Sequence, residues 1–571
     1  AFLQIAEGEY YERLAEGNRI RLIPVMAPRG TIYDRNGDIL ATTRPGFTVS
    51  LLQVNAPISE EVILKVAKIL NMPPQEIQDR LAQHKGSFDP VRLKSDIGPE
   101  IMAMIEERRN DLPGVVIEIQ PTRNYVYNEL AAHVLGYVSE ISDSEIKNLK
   151  EAGYKAGDLI GKFGLEKKFD RDLRGVDGGG QMEVDANGRP IQVLGKKDPL
   201  PGNNLVLTLD AQIQATAEKA IAEHLNYLRT TLKNSSAHAA AVVVLNPKTG
   251  EILALANSPT FNPNLFTGGI STTEWKKINE NIYHPMENKA ISGEYPPGST
   301  FKVITATAAL ELGKVSPEEK IYDSGRHWLV PEKGNAGQSA LGWLNFRQGL
   351  SMSNNVYFYE MGYRLGIDNI EKYARMFGLG ERTGIDLQGE AEGLVASRSY
   401  KKRVYQEDWY VSETFDAAIG QGFNLATPLQ MAAVISQIAN WGSYYRPHLV
   451  SKIVKADGTL VKEFQPELIR QLPISRNSLN LIRTSLRDAA TMPGGTSAVY
   501  FSDFPIPVAG KTGTSENPHG KDHGWFMAFA PYEDPTVAIV VIADQGGFGV
   551  VAAAPIAKKI LEKIFNVVPP K

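Results

Sequence analysis

Cysteine is absent from all 571 residues. Its absence excludes disulfide scaffolding, thiol nucleophiles and thiolate-bound metals, and leaves every redox compartment open. Histidine is scarce, at nine scattered residues, so a histidine-built metal centre or a Ser-His-Asp triad has little to draw on. Positive charge is not in excess either. The formal net charge is -4, whereas a nucleic-acid surface needs a marked Lys/Arg surplus, so no nucleic-acid partner is expected. No apolar run approaches the ~18 residues of a membrane span, and no charged-then-apolar leader is found. Ala1-Phe2-Leu3-Gln4-Ile5 is compatible with the trimmed end of an anchor. Internal repeats and low-complexity tracts are also lacking.

A chain of this length exceeds one ordinary core, so two or more domains are expected. The first 200 or so residues mix short strand-like runs with polar helical stretches, punctuated by Gly175 and Gly178-Gly179-Gly180. A turn at Pro199-Leu200-Pro201-Gly202-Asn203-Asn204 precedes the apolar run Leu205–Leu209 and a helical pattern over 211–225. The boundary is placed there, giving domains 1–202 and 203–571. In the second part, 239–245 and 251–256 read as strands of a hairpin, joined by Asn246-Pro247-Lys248-Thr249-Gly250. Residues 506–508, 524–530 and 537–543 read as three more strands, and 555–565 as a closing amphipathic helix. Between them lies a long helical stretch from about Ser299 to Trp441. Strands at both ends with helices between predict a mixed α+β domain whose sheet is assembled from distant segments.

The sharpest chemical feature is Tyr295-Pro296-Pro297-Gly298-Ser299-Thr300-Phe301-Lys302, followed by the apolar run Val303–Leu310. Pro and Gly interrupt regular structure just before Ser299, which places this serine in the first turn of a helix. There, free N–H groups and the positive dipole end favour developing negative charge. Lys302 is one turn on and on the same face. Burial and a second cation lower a lysine pKa, and a neutral amine there can take the serine proton. Ser-x-x-Lys alone is weak, since roughly two chance copies are expected in a chain this long. Ser144 with Lys147 and Ser399 with Lys402 are such copies, both in polar surroundings that read as solvated surface.

Ser353-Asn354-Asn355 is a second element. A serine hydroxyl there can relay a proton to a leaving amine, and an asparagine amide can hold both a lysine and a substrate amide. Taken alone, Ser353 reads as a helix cap, as do the Ser-x-Asn copies at Ser475 and Ser478, while Ser515 reads as loop. Gly510-Lys511-Thr512-Gly513-Thr514-Ser515 is the third, following the predicted strand 506–508. A lysine on an edge strand supplies charge for a carboxylate, and a glycine allows close backbone approach. Its copy, Lys248-Thr249-Gly250, reads as a hairpin turn. Each motif is ambiguous, but the ordered set is that of serine β-lactamases and penicillin-binding proteins.

The rest of the chain resembles the class B penicillin-binding proteins, and within them the elongation transpeptidases of rod-shaped bacteria. The residues that carry this are Ala27–Gly37 with Leu40-Ala41, Arg123 with Tyr125, Ala132–Tyr137, Gly161–Glu166 with Leu173 and Gly175, Gly420-Gln421-Gly422, and Ala426–Gln430. The resemblance implies an elongated N-terminal pedestal domain below a transpeptidase domain, whose central antiparallel sheet is flanked by helices and carries a helical subdomain. It also implies that Ser299 attacks the carbonyl of a terminal D-Ala-D-Ala, that Lys302 is the base for acylation, and that Ser353 relays the proton toward the leaving D-alanine. Asn355 then positions Lys302 and the substrate amide, while Lys511 tunes the local field. Thr512, Gly513 and Thr514 bind the substrate or β-lactam carboxylate, and the Ser299 and Thr514 N–H groups form the oxyanion hole.

By the same resemblance, the partners are peptidoglycan stem peptides, β-lactams and, through the pedestal, a membrane-embedded SEDS-type glycan polymerase with its elongation complex. The location implied is the extracytoplasmic face of the membrane, with an N-terminal anchor. Arg29 with Glu166 or Asp34 is expected as a structural ion pair, His133 as a packed structural histidine, and His519 and His523 as members of a solvated loop. Some family members carry a metal cluster that includes cysteine after the nucleophile. Without cysteine no equivalent is expected, and no cofactor is implied. A β-lactamase, a D,D-carboxypeptidase, a β-lactam receptor and a polymerase-activating scaffold are the rival readings.

Overall fold

The computed structural model describes residues 20–52, 58–83, 90–149, 153–154, 157–184, 190–336 and 339–568. The candidate anchor remnant at 1–5 lies outside them. Among the described residues no helix is long and apolar enough to cross a membrane.

The C-terminal half is built on a five-stranded antiparallel sheet. Its strands are β1 (Ala239–Leu245), β2 (Ile252–Ser258), β3 (Ala509–Ser515), β4 (His523–Ala530) and β5 (Val537–Asp544), in the order β2-β1-β5-β4-β3. Two segments some 250 residues apart thus share one sheet, as the strand pattern predicted. Both faces of the sheet are covered, so central strands such as β1 and β5 read as continuous apolar runs. In β5, Ala538, Val540 and Ile542 face one core, while Val537, Ile539, Val541 and Ala543 face the other. Helices α1 (Ala211–Thr230) and α5 (Ala554–Ile564) close the second core. On the first lie α2 (Lys302–Glu311), α3 (Asn355–Leu365) and α4 (Pro428–Ala439). Helix α4 opens with Pro428 at its first position and a capping box between Thr427 and Gln430, which gives the Ala426–Gln430 segment a local purpose.

Three expected elements differ. The predicted strand 506–508 is not one, because Pro505 and Pro507 bracket Ile506 and cannot donate to a ladder; the strand starts at Ala509. The helical middle is interrupted by a two-stranded hairpin, Ile321–Asp323 with Gly342–Leu344. His523 is not in a solvated loop. It opens β4, is 9% exposed and places Nδ1 2.8 Å from Asp544, whereas His519 is exposed.

In the N-terminal part, the long strand Ile39–Leu51 pairs with Val115–Tyr125 and with Val91–Lys94. The same sheet continues through Ile32–Tyr33 and Asn204–Leu207 to Val450–Val454 and Leu460–Glu463, so both halves of the chain contribute to it. The motif residues near the N-terminus converge on Glu166, which is fully buried. Arg29 Nε lies 2.5 Å and Arg123 Nε 2.6 Å from its two oxygens, and Arg123 also donates to the Gly30 carbonyl at 2.6 Å. Burial alone would raise the Glu166 carboxyl, but the two guanidinium groups outweigh it and hold the carboxyl below its ordinary range. Arg29 pairs with Asp170 rather than Asp34 as its second partner. Asp34 instead accepts from the Ala211 N–H at 3.0 Å, tying this part to the start of α1. His133 is buried with Nε2 2.7 Å from the Pro285 carbonyl, and burial brings it down to about 4, so it is neutral.

Candidate active site

Ser299 sits in a 3₁₀ turn, Gly298–Phe301, that runs directly into α2. This turn is pressed between neighbours. Gly298 has φ +55, and a Cβ on it would meet the Thr514 carbonyl at 2.6 Å. On the other side, a Cβ on Gly420 (φ +75) would lie 2.3 Å from the Gly298 carbonyl oxygen, while the Gly298 N–H donates to the Gly420 carbonyl at 2.9 Å. The Gly420-Gln421-Gly422 segment therefore backs the turn that carries Ser299. Ahead of Ser299, Trp525 Nε1 donates to the Pro296 carbonyl at 2.9 Å, and Tyr295 and Ala426 exchange backbone hydrogen bonds. Gly513 has the same logic as Gly298: a Cβ there would meet the Thr300 methyl at 2.9 Å. Edge strand β3 can lie against the turn only because this residue is glycine.

Lys302 and Lys511, both fully buried, meet at one loop. Lys302 Nζ donates to the Ser353 carbonyl at 2.8 Å and to Asn355 Oδ1 at 2.6 Å, with Ser353 Oγ at 3.4 Å. Lys511 Nζ donates to Ser353 Oγ at 2.7 Å and to the Thr512 carbonyl at 2.8 Å. Burial, and then the neighbouring Lys511 cation, hold the Lys302 amine well below the usual lysine range. Burial brings Lys511 down to about 7. No hydrogen bond joins Ser299 Oγ to Lys302 Nζ among the described residues. Such bonds often tighten only when substrate is bound.

Ser353 is not a helix cap. Asn354 caps α3, accepting from the Tyr357 N–H at 2.7 Å, and this leaves the Ser353 hydroxyl for Lys511. The copies elsewhere are as expected: Ser475 caps a helix, Lys248 lies in the β1–β2 turn beside Asp534, and Lys402 pairs with Asp408 at the surface. Ser515 ends β3 rather than lying in a loop.

Ser299, Ser353, Asn355, Thr512, Gly513 and Thr514 all line one cleft of about 1200 Å³. Thr514 Oγ1 is held by the Gly549 N–H at 3.1 Å. Sequence reasoning missed several wall residues, among them Lys333, Asn335, Asp416 and Thr496. Lys333 and Asp416 form an ion pair at 2.5 Å, and Asn335 bonds to the start of α3. None of these has a local pattern that marks it. Among the described residues, no group of three or more His, Cys, Asp or Glu side chains is placed to hold a metal.

The family model of the penicillin-binding protein transpeptidase domain matches residues 240–562, and that of the penicillin-binding protein dimerisation domain matches 24–207. The chain is 34% identical to a peptidoglycan D,D-transpeptidase MrdA of Acinetobacter baumannii, covering 98% of this chain and 84% of that protein. It is 31% identical to the MrdA of Escherichia coli K12, with 98% and 90% covered. Among solved structures, it resembles Helicobacter pylori PBP2 in complex with MreC, with a TM-score of 0.80, 27% identity and 96% and 99% coverage. It also resembles Pseudomonas aeruginosa PBP2 in complex with WCK 5153, with a TM-score of 0.71, 28% identity and 95% and 96% coverage.

Proposed function

The chain belongs to the penicillin-binding protein transpeptidases, and we propose that it cross-links peptidoglycan stem peptides by acyl transfer through Ser299. Its activity is that of a serine-type peptidoglycan D,D-transpeptidase of the elongation kind, open to acylation by β-lactams. The observation that carries the residue assignment is the meeting of buried Lys302 and Lys511 at Ser353, which lines the same cleft as Ser299.

In this reading, neutral Lys302 takes the Ser299 proton as Oγ attacks the penultimate D-Ala carbonyl. The Ser299 and Thr514 N–H groups face the oxyanion, each donor contributing about 3–4 kcal/mol to the transition state. Ser353 passes a proton to the departing D-alanine amine as the C–N bond breaks. An acceptor amine then attacks the acyl-enzyme, a new amide forms and Ser299 is released with its proton. Asn355 holds Lys302, Lys511 supplies positive charge, and Thr512, Gly513 and Thr514 receive the terminal carboxylate. The domain division proposed is 1–202 for the pedestal and 203–571 for the transpeptidase.

Peptidoglycan lies outside the cytoplasmic membrane, so the proposed location is its extracytoplasmic face, with an N-terminal anchor. The proposed pedestal partners are the elongation complex and its SEDS-type polymerase. Supporting them is the likeness to the PBP2–MreC complex and to a structure described as a peptidoglycan synthase complex coordinating polymerization and crosslinking, with 30% identity and a TM-score of 0.78. The direct test incubates the protein with a D-Ala-D-Ala donor peptide and an amine acceptor and follows products by mass. Cross-linked product with release of D-alanine supports the reading. Hydrolysed donor alone makes the protein a hydrolase, and a stable adduct without turnover makes it a receptor.

A further inference from the structure

One buried carboxylate outside the three motifs holds the Ser353-Asn354-Asn355 loop. Asp323 ends the hairpin strand Ile321–Asp323 and is 1% exposed. Its Oδ1 accepts from the Gly325 N–H at 2.7 Å. Its Oδ2 accepts from Asn354 Nδ2 at 2.6 Å, Asn335 Nδ2 at 2.7 Å and the Leu341 N–H at 3.0 Å. Four donors of this kind satisfy a charge that burial would otherwise penalise heavily.

Two of those donors lead to the active site. Asn354 is clamped at both ends, by Asp323 on its amide nitrogen and by the Tyr357 N–H on its oxygen. Asn335 Oδ1 accepts from the N–H groups of Asn355 at 3.0 Å and Val356 at 3.3 Å, orphan donors of the first turn of α3. The Gly334 carbonyl takes Asn355 Nδ2 at 3.3 Å, which leaves Asn355 Oδ1 for Lys302. Immediately before Asn354, Ser353 has φ +56, a conformation that a non-glycine residue keeps only when its surroundings over-determine it. In it, the Ser353 carbonyl meets Lys302 and its hydroxyl meets Lys511.

We propose that Asp323, acting through Asn335 and Asn354, is a positioning residue that sets Ser353 and Asn355 in their acylation geometry. The inference rests on the transpeptidase roles assigned to those two residues. Asp323 lies outside the cleft and Asn335 only in its wall, so the covalent step is expected to depend on them more strongly than initial docking of the ligand does.

The test is rapid-mixing acylation of the full chain by a fluorescent penicillin, resolving the pre-covalent dissociation constant from the covalent rate constant. Asn335→Ala is expected to slow the covalent step by ~10²-fold, the order that a misplacement of about 1 Å produces. Its dissociation constant changes far less than its covalent rate, and melting stays cooperative. Asp323→Ala does the same or more, and Asp323→Asn, which keeps one acceptor oxygen, recovers part of the rate. Trp343→Ala, on the same hairpin but 63% exposed, changes neither constant. Wild-type covalent rates in Asn335→Ala and Asp323→Asn overturn the proposal. So does an equal decline of both constants with loss of cooperative melting, which marks general damage. Ser299→Ala in parallel separates the two readings: labelling that survives there overturns the transpeptidase assignment itself, whereas abolished labelling with normal Asn335→Ala kinetics overturns only this inference.

Discussion

The amine of Lys511 donates to the hydroxyl of Ser353 at 2.7 Å across 158 residues of sequence. Lys302 reaches the same residue from α2, the helix that follows Ser299, with its nitrogen 2.8 Å from the Ser353 carbonyl. One residue in a left-handed turn thus receives two buried amines, and that arrangement sets the acid–base behaviour of the cleft.

The first prediction concerns pH. In its proposed role Lys302 acts as a base only when neutral, and burial with the Lys511 cation favours that form. Lys511 supplies positive charge only when protonated, and burial brings it down to about 7. The acylation rate of the free enzyme is therefore bell-shaped, rising as Lys302 deprotonates and falling as Lys511 does, with apparent values that belong to the coupled pair. An anionic ligand stabilises the Lys511 cation and moves the alkaline limb upward. A profile that stays flat through neutral and alkaline pH would show that neither amine controls the step. Lys511 also binds its proton less readily folded than unfolded, where its value is about 10.4. Its contribution to stability accordingly grows as pH rises from about 7 through that window.

Removing the proposed relay is the second. Ser353→Ala leaves the chain folded but slows acylation by ~10²–10⁴-fold, the usual range for a lost proton-transfer group. Rapid-mixing kinetics with a fluorescent penicillin measures this, and a change below threefold would assign the relay elsewhere.

Gly420→Ala tests the packing behind the nucleophile. The new methyl group meets the Gly298 carbonyl at 2.3 Å, in a backbone conformation that disfavours any side chain. We expect a loss of about 1–3 kcal/mol in stability, together with acylation slowed at least tenfold as the turn carrying Ser299 shifts. Wild-type acylation in this variant would mean the turn tolerates displacement.

Arg123→Ala is the fourth and concerns stability alone. It leaves the buried Glu166 with Arg29 as its remaining close cation, at a cost of roughly 3 kcal/mol. Because the pairing depresses the Glu166 carboxyl in the folded state, its contribution is present at neutral pH and is lost as pH falls below the ordinary carboxylate range. The deficit of the variant should therefore shrink in acid. Thermal melts at neutral and acidic pH check this, while the acylation rate per folded molecule stays unchanged.

Much of the site was legible because its parts sit at element boundaries with strong local signals. Pro296, Pro297 and Gly298 announce the turn before Ser299, and Lys302 follows at helical spacing. The edge position of Lys511 was legible too, although its strand begins later than expected because prolines bracket Ile506. The role of Ser353 could not be separated from capping by local rules, since Asn354 next to it is an equally good cap and takes that place. Asp323 and Asn335 left no signal at all. Their partners in the Ser353–Asn355 loop lie 20 to 31 residues away and are joined by hydrogen bonds that follow no periodicity. The entry of Val450–Val454 into the N-terminal sheet was hidden for the same reason, as a strand's pairing partner is not written in its own residues.

The central claim is that Ser299 is the acylated nucleophile. It is tested most directly by intact mass after incubation with a fluorescent penicillin, followed by peptide mapping. The account predicts one stable adduct, on the peptide containing Ser299 and absent from Ser299→Ala. An adduct on another serine, such as Ser144 or Ser399, or labelling that persists in Ser299→Ala, would contradict it.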